Sequence, residues 1–113
     1  MRQIGVEKYR KAAQTRVEVE GYAFTIQRPS CAAVAEITGR RVSLDWAIGF
    51  VVGWEGVLES DLLPGGDPEA VQFDAALFAA WVKDRPALWQ PIIDGVIDAY
   101  RRYEEEAAAR GKL

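Results

Sequence analysis

Asp94 and Asp98 stand four residues apart in "PIIDGVIDAY", a spacing that brings both carboxylates onto one face of a helix, and paired carboxylates are basic equipment for general acid–base work. Their neighbours point elsewhere. Ile93, Ile97 and Tyr100 form an apolar stripe on the opposite side, so a polar outer face accounts for the two aspartates. Cys31 follows Pro29 and Ser30 at a helix start, where a thiolate is favoured, but the expectation is a small buried side chain. Glu59, Asp61, Asp67 and Glu69 surround Pro64, Gly65 and Gly66 without the alternating oxygen ligands of a calcium loop, and a solvated loop is expected. "PGGD" lacks the Lys-Ser/Thr pair and the glycine spacing of a phosphate loop. The chain has no histidine and one cysteine, which removes the Ser-His and Cys-His nucleophile pairs and leaves no ordinary zinc site. The expectation is a protein that is not an enzyme, with no catalytic residues, no cofactor and no metal.

The elements that would carry these residues follow from periodicity. Val17 and Val19, then Tyr22, Phe24 and Ile26, alternate with other residues on either side of Gly21, which reads as a β-hairpin within 16–28. Residues 1–15 read as a peripheral arm or short helix. Ser30 is an N-cap candidate for "CAAVAEI", with Gly39 as its stop, and Ser43 caps the next helix. Asp74 caps another, with Phe73 stapled onto Phe78 and an apolar stripe of Leu77, Phe78, Trp81 and Val82. The last helix begins near Pro86, holds Pro91 in its first turn or kinks there, and carries Leu88, Trp89, Ile92, Ile93, Val96, Ile97, Tyr100 and Tyr103 at three- and four-residue spacing. Residues 104–113 form a charged extension, where Arg101 with Glu105, Arg102 with Glu106, and Glu106 with Arg110 can pair across a turn. The fold expected is a single α+β domain over 1–113: one β-hairpin packed against about four helices, with a helical core over 30–103 and the last helix longest.

Between these elements lies "WAIGFVVGWEGV", Trp46 to Val57. Read helically, it places Trp46, Phe50, Gly53 and Val57 on one face, with Gly56 ending the helix. A helix apolar nearly all round is surrounded by protein. Gly49 and Gly53 would each cost about 1 kcal/mol of helix propensity, which close backbone approach, or a glycine-lined surface for a partner, would offset. The four tryptophans, Trp46, Trp54, Trp81 and Trp89, read as core residues, with one or two left for an interface, where indoles are enriched.

Composition narrows the class. A chain of 113 residues is most simply one domain. Its net charge of −3 argues against nucleic-acid binding, which Arg40 and Arg41 are too few to reverse. The apolar run is shorter than the roughly 20 residues a membrane span requires, and Asp45 and Glu55 close it. A single cysteine and no apolar leader segment lead to the expectation of a cytoplasmic protein.

The segment "WAIGFVVGWEGV", the Gly/Pro loop and "VQFDAALFAAWVKDRPALWQPIIDGVIDAY" resemble small proteins encoded in the tail modules of long-tailed bacteriophages and prophages, over roughly Val17 to Tyr103. The resemblance implies a tail assembly chaperone of the host bacterial cytoplasm, which shields the apolar helices of the tape-measure protein until tail-tube subunits polymerise around it. On this expectation the client is held by Trp46, Phe50, Gly53 and Trp54, with Trp81 and Trp89 beside them. Two other classes stay open: a virion tail or head component that assembles by adding its hairpin edge to a neighbour, and an inhibitor that occludes a host protein. Self-association is also expected from the open hairpin edges.

Overall fold

The computed structural model describes residues 1–111; Lys112 and Leu113, the end of the expected charged extension, lie outside the described residues. The hairpin forms as read. Strand β1 (Gln14–Val19) pairs antiparallel with β2 (Tyr22–Gln27) in the register Val17 to Phe24 and Val19 to Tyr22. Glu20 and Gly21 turn the chain with φ of 55° and 82°, the left-handed pair that a two-residue hairpin turn requires.

The chain past Ser43 corrects the helical reading of Trp46 to Val57. Of the helices, α1 spans Val6–Lys11, α2 spans Cys31–Glu36, and α3 is only Leu44–Ile48. After a turn at Gly49 and Phe50 the chain becomes strand β3 (Val51–Glu55), which pairs antiparallel with β2 to give a three-stranded sheet in the order β1-β2-β3. Trp54 lies opposite Phe24 and Gly53 opposite Thr25, while Val52 is an extra residue at a bulge between Thr25 and Ile26 and is exposed. The physical reason is the open edge of β2: its unpaired backbone groups find partners in an apolar, β-branched run too short for periodicity to tell strand from helix. Gly49 and Gly53 therefore do not notch a helix face. The first follows α3, and the second faces the Thr25 side chain, where a Cβ would have ordinary room.

Gly56, at φ 83°, ends β3 and leads into α4 (Glu59–Leu62), a helix inside the expected loop. That loop is tied across its base, where Leu58 bridges Ala70, the Glu59 N–H donates to the Glu69 carbonyl at 2.8 Å, and the Val71 N–H donates to the Val57 carbonyl at 3.0 Å. Two of its four acids are engaged, while Asp67 and Glu69 are exposed. Asp61 accepts from the Leu58 N–H at 2.8 Å and from the Tyr22 hydroxyl at 3.0 Å, and Glu59 accepts from the Asp67 N–H at 2.9 Å.

The sequence-read caps are present. Ser30 accepts from the Ala33 N–H, Ser43 from the Trp46 N–H and Asp74 from the Leu77 N–H. Asp74 opens α5 (Ala75–Val82), whose Phe78 meets Phe73 at a ring separation of 5.9 Å. Helix α6 (Pro86–Ala109) has 24 residues, is the longest, begins on Pro86 and contains Pro91. It lies against β1, β2, α3 and α5, so it is the spine on which the sheet and the short helices assemble.

The fold is thus α+β, with six helices rather than about four and three strands rather than two among the described residues. Phe24 and Ile26 from the sheet, Phe78 and Val82 from α5, and Leu88, Ile92 and Val96 from α6 are fully buried. At Gly95 helix α6 comes close to the sheet: a Cβ there would sit 2.5 Å from Val17 Cγ2. No helix among the described residues is long and apolar enough to cross a membrane.

Candidate functional site

The residues with chemical potential are dispersed. Asp94 and Asp98 are exposed on α6, at a cleft that Thr15 and Arg16 of β1 also line; Asp94 accepts from Gln90 Nε2 at 2.7 Å, and Asp98 pairs with Arg101 at 3.6 Å, in place of the anticipated pairing of Arg101 with Glu105. Among the described residues no group of three or more His, Cys, Asp and Glu side chains is placed to hold a metal ion.

Cys31 is exposed, which corrects the expectation of a buried side chain. The cause is the brevity of α2, which buries none of its residues fully and whose first position lies at the surface. Cys31 lies beside the Tyr100 phenol, and their side-chain hydrogen bonding is the first cause of a raised Tyr100 pKa. That interaction, helped by burial and by the charges of Cys31, Glu104 and Tyr103, pushes the phenol pKa up to about 12.

The four indoles separate into two groups. Trp54 and Trp81 are in the core, at 9% and 8% exposure, with their rings 5.8 Å apart and nearly perpendicular. Trp54 Nε1 donates to the Val71 carbonyl at 2.7 Å, and Trp81 Nε1 to the Asp61 carbonyl at 3.2 Å, so both indoles hold the 56–74 segment against the sheet. Trp89 is half-buried, and its Nε1 donates to the Val82 carbonyl at 2.6 Å, fastening the α5–α6 corner. These are structural duties. Trp46 is half-buried and packs on Phe50 at a ring separation of 4.7 Å.

Of the six residues anticipated to hold a partner, the structure therefore brings Trp46 and Phe50 together near the surface. It sends Trp54 and Trp81 inside, leaves Trp89 at the α5–α6 corner, and sets Gly53 in β3. Beside Trp46, an apolar groove of about 190 Å³ opens between α2, α3 and α6, walled by Val34, Ile37, Val42, Trp46, Ile97 and Tyr100, with no charged side chain in its lining. Sequence reasoning missed Val34, Ile37 and Val42. The available signal was the apolar spacing of Val34 and Ile37 on a helix too short to have a core of its own. Such a groove offers shape and apolar area. Compared with protein-family models, curated proteins and solved structures, the chain has no significant match.

Proposed function

We propose that this chain is a non-enzymatic protein-binding domain that acts as a tail assembly chaperone of a long-tailed phage or prophage, with the groove beside Trp46 receiving an apolar helix of the tape-measure protein. The observation that supports this reading best is the uncharged groove between α2, α3 and α6, bordered by the half-buried Trp46, which packs on Phe50 behind it. An amphipathic helix docks into such a groove by its apolar side chains at three- and four-residue spacing. The Trp46 indole suits the centre of that contact, because a rigid aromatic ring contributes large area with little loss of rotamer freedom. The resemblance of roughly Val17 to Tyr103 to tail-module proteins suggests the identity of the client.

The test is co-expression with the tape-measure protein of the same phage or prophage. Wild type co-purifies with the client, whereas Trp46→Asp, which sets a charge in the groove wall, loses it while still folding, as a cooperative though lowered thermal transition shows. Absence of a complex with the wild-type chain would refute the reading. A role as a virion component has its own support in the sheet, because β1 and β3 are both edge strands. Detection of the chain in mature particles would favour that role, since a chaperone leaves.

A further inference from the structure

A second cleft, of about 570 Å³, lies between α1 and the body, and its lining includes Arg10, Arg28 and Ser30 together with Val6, Phe50 and Tyr103. No carboxylate lines it, although the chain as a whole carries a net charge of −3. The Arg28 guanidinium lies over the Tyr103 ring, its carbon 3.9 Å from the ring centre. Stacking of this kind occupies the flat faces of a guanidinium and leaves the donors along its edge to be satisfied in plane. They are not all satisfied, because Arg28 Nε is buried without a hydrogen-bond partner among the described residues.

The apolar side of the cleft is equally open: Val6 and Tyr9 are 64% and 67% exposed, and α1 buries no residue. On its far side Arg28 shares a shallower cleft with Glu106, but no ion pair joins the two. A buried cationic donor without an acceptor, next to uncovered apolar side chains, is the complement of an anion attached to an apolar body.

We propose that this cleft is a binding site for a carboxylate carried on an apolar group, with Arg28 as the anion anchor, Arg10 as a second cation, and Val6, Tyr9 and Phe50 as the apolar walls. A planar carboxylate matches the guanidinium edge in two parallel hydrogen bonds, and the cleft volume falls within the range of about 300–1,000 Å³ usual for small-ligand sites. The same chemistry could be presented by a free chain terminus or by an internal acidic side chain flanked by apolar residues. The inference is independent of the groove beside Trp46.

The experiment titrates ¹⁵N-labelled protein with N-acetylphenylalanine, with its primary amide, and with an end-blocked Phe-Glu-Phe peptide, following the Arg28 Nε–H resonance and the backbone amides of Cys31 and Phe50. At least one carboxylate probe shifts these signals saturably with a Kd on the order of 1 mM or tighter, and the amide binds about tenfold more weakly. Saturation by N-acetylphenylalanine assigns the site to a chain terminus, and saturation by the peptide assigns it to an internal acid. Arg28→Gln abolishes the shifts; Arg10→Gln, on the exposed α1 where folding is not at stake, weakens binding several-fold; Glu106→Gln leaves it unchanged or tightens it. Equal binding of acid and amide, no saturable shift with either carboxylate probe, or loss of binding in Glu106→Gln would overturn the assignment.

Discussion

Gly95→Ala sets two known magnitudes against each other. In the middle of α6, replacement of glycine by alanine gains about 1 kcal/mol of helix propensity. The new Cβ, however, would lie 2.5 Å from Val17 Cγ2 on β1, where carbon atoms pack best at about 3.5–4.0 Å. Val17 cannot turn away freely, because a β-branched side chain in a strand has restricted χ1 rotamers, and α6 is held on the sheet by Leu88, Ile92 and Val96, all fully buried. Overpacking of this kind costs about 1–3 kcal/mol, so Gly95→Ala lowers stability by up to about 2 kcal/mol after the propensity gain is subtracted. Val17→Ala removes Cγ2 and leaves Cβ at 3.6 Å, an ordinary contact. In that background the sign reverses, and Gly95→Ala stabilises by about 1 kcal/mol. The assay is urea unfolding of wild type, both single variants and the double variant, followed by tryptophan fluorescence with m held common. Coupling of about 1–3 kcal/mol is expected. If Gly95→Ala has the same effect in both backgrounds, α6 does not meet the sheet at Gly95 and the packing argument fails.

Gly66→Ala destabilises by about 1–3 kcal/mol, since its Cβ would meet the Glu59 backbone carbonyl oxygen at 2.7 Å and the backbone there cannot rotate aside; an unchanged urea midpoint would refute this. Trp54→Ala costs about 3–5 kcal/mol and frees the Val71 carbonyl, whereas Trp46→Ala, at a half-buried position, costs roughly 1 kcal/mol; denaturant midpoints separate the two, and comparable losses would contradict the division of the indoles. Tyr100 ionises late: its pKa is about 12 in the folded chain against 10.0 for a free phenol. A raised folded-state pKa means that its contribution to stability is fully present below pH 10 and is lost as pH rises from 10 towards 12. Tyrosinate absorbance near 295 nm should show one late-titrating phenol that disappears in Tyr100→Phe and titrates earlier in Cys31→Ala, because the Cys31 hydrogen bond is the first cause of the shift.

What was legible in the sequence was what local chemistry decides. Ser30, Ser43 and Asp74 each accept from the backbone N–H three residues on, a bond formed within one turn and so written in neighbouring residues. The hairpin register follows from alternation around Gly21. Strand β3 was not legible, because "FVVGWE" is apolar, short and glycine-bearing, and the choice between helix and strand was made by β2, whose Gln27 N–H donates to the Phe50 carbonyl at 2.7 Å. The tendency of Val51 and Val52 toward extended backbone agreed with that choice but does not impose it. The tryptophans were illegible for a related reason. Their side chains are apolar in any sequence count, and only the folded chain shows that Trp54, Trp81 and Trp89 each have a carbonyl to bond. The cleft around Arg28 depends on Tyr103, which arrives from the other end of the chain, and no local spacing records such an encounter.

The two openings share a wall. Phe50 lines the Arg28 cleft and packs on Trp46, which lines the apolar groove; Cys31 lines the cleft and interacts with Tyr100, which lines the groove. Closely packed interiors transmit small displacements, because a side chain in contact on both sides cannot move for one neighbour alone. Occupation of the cleft therefore bears on the rotamers of Trp46 and Tyr100, and a helix laid in the groove bears on Phe50 and Cys31. An apolar segment with an acidic residue at one end, long enough to reach across the Trp46–Phe50 pair, would engage both openings at once. Each contact would then raise the effective concentration for the other, so that two individually weak contacts on a chain of 113 residues would hold such a segment without a large interface.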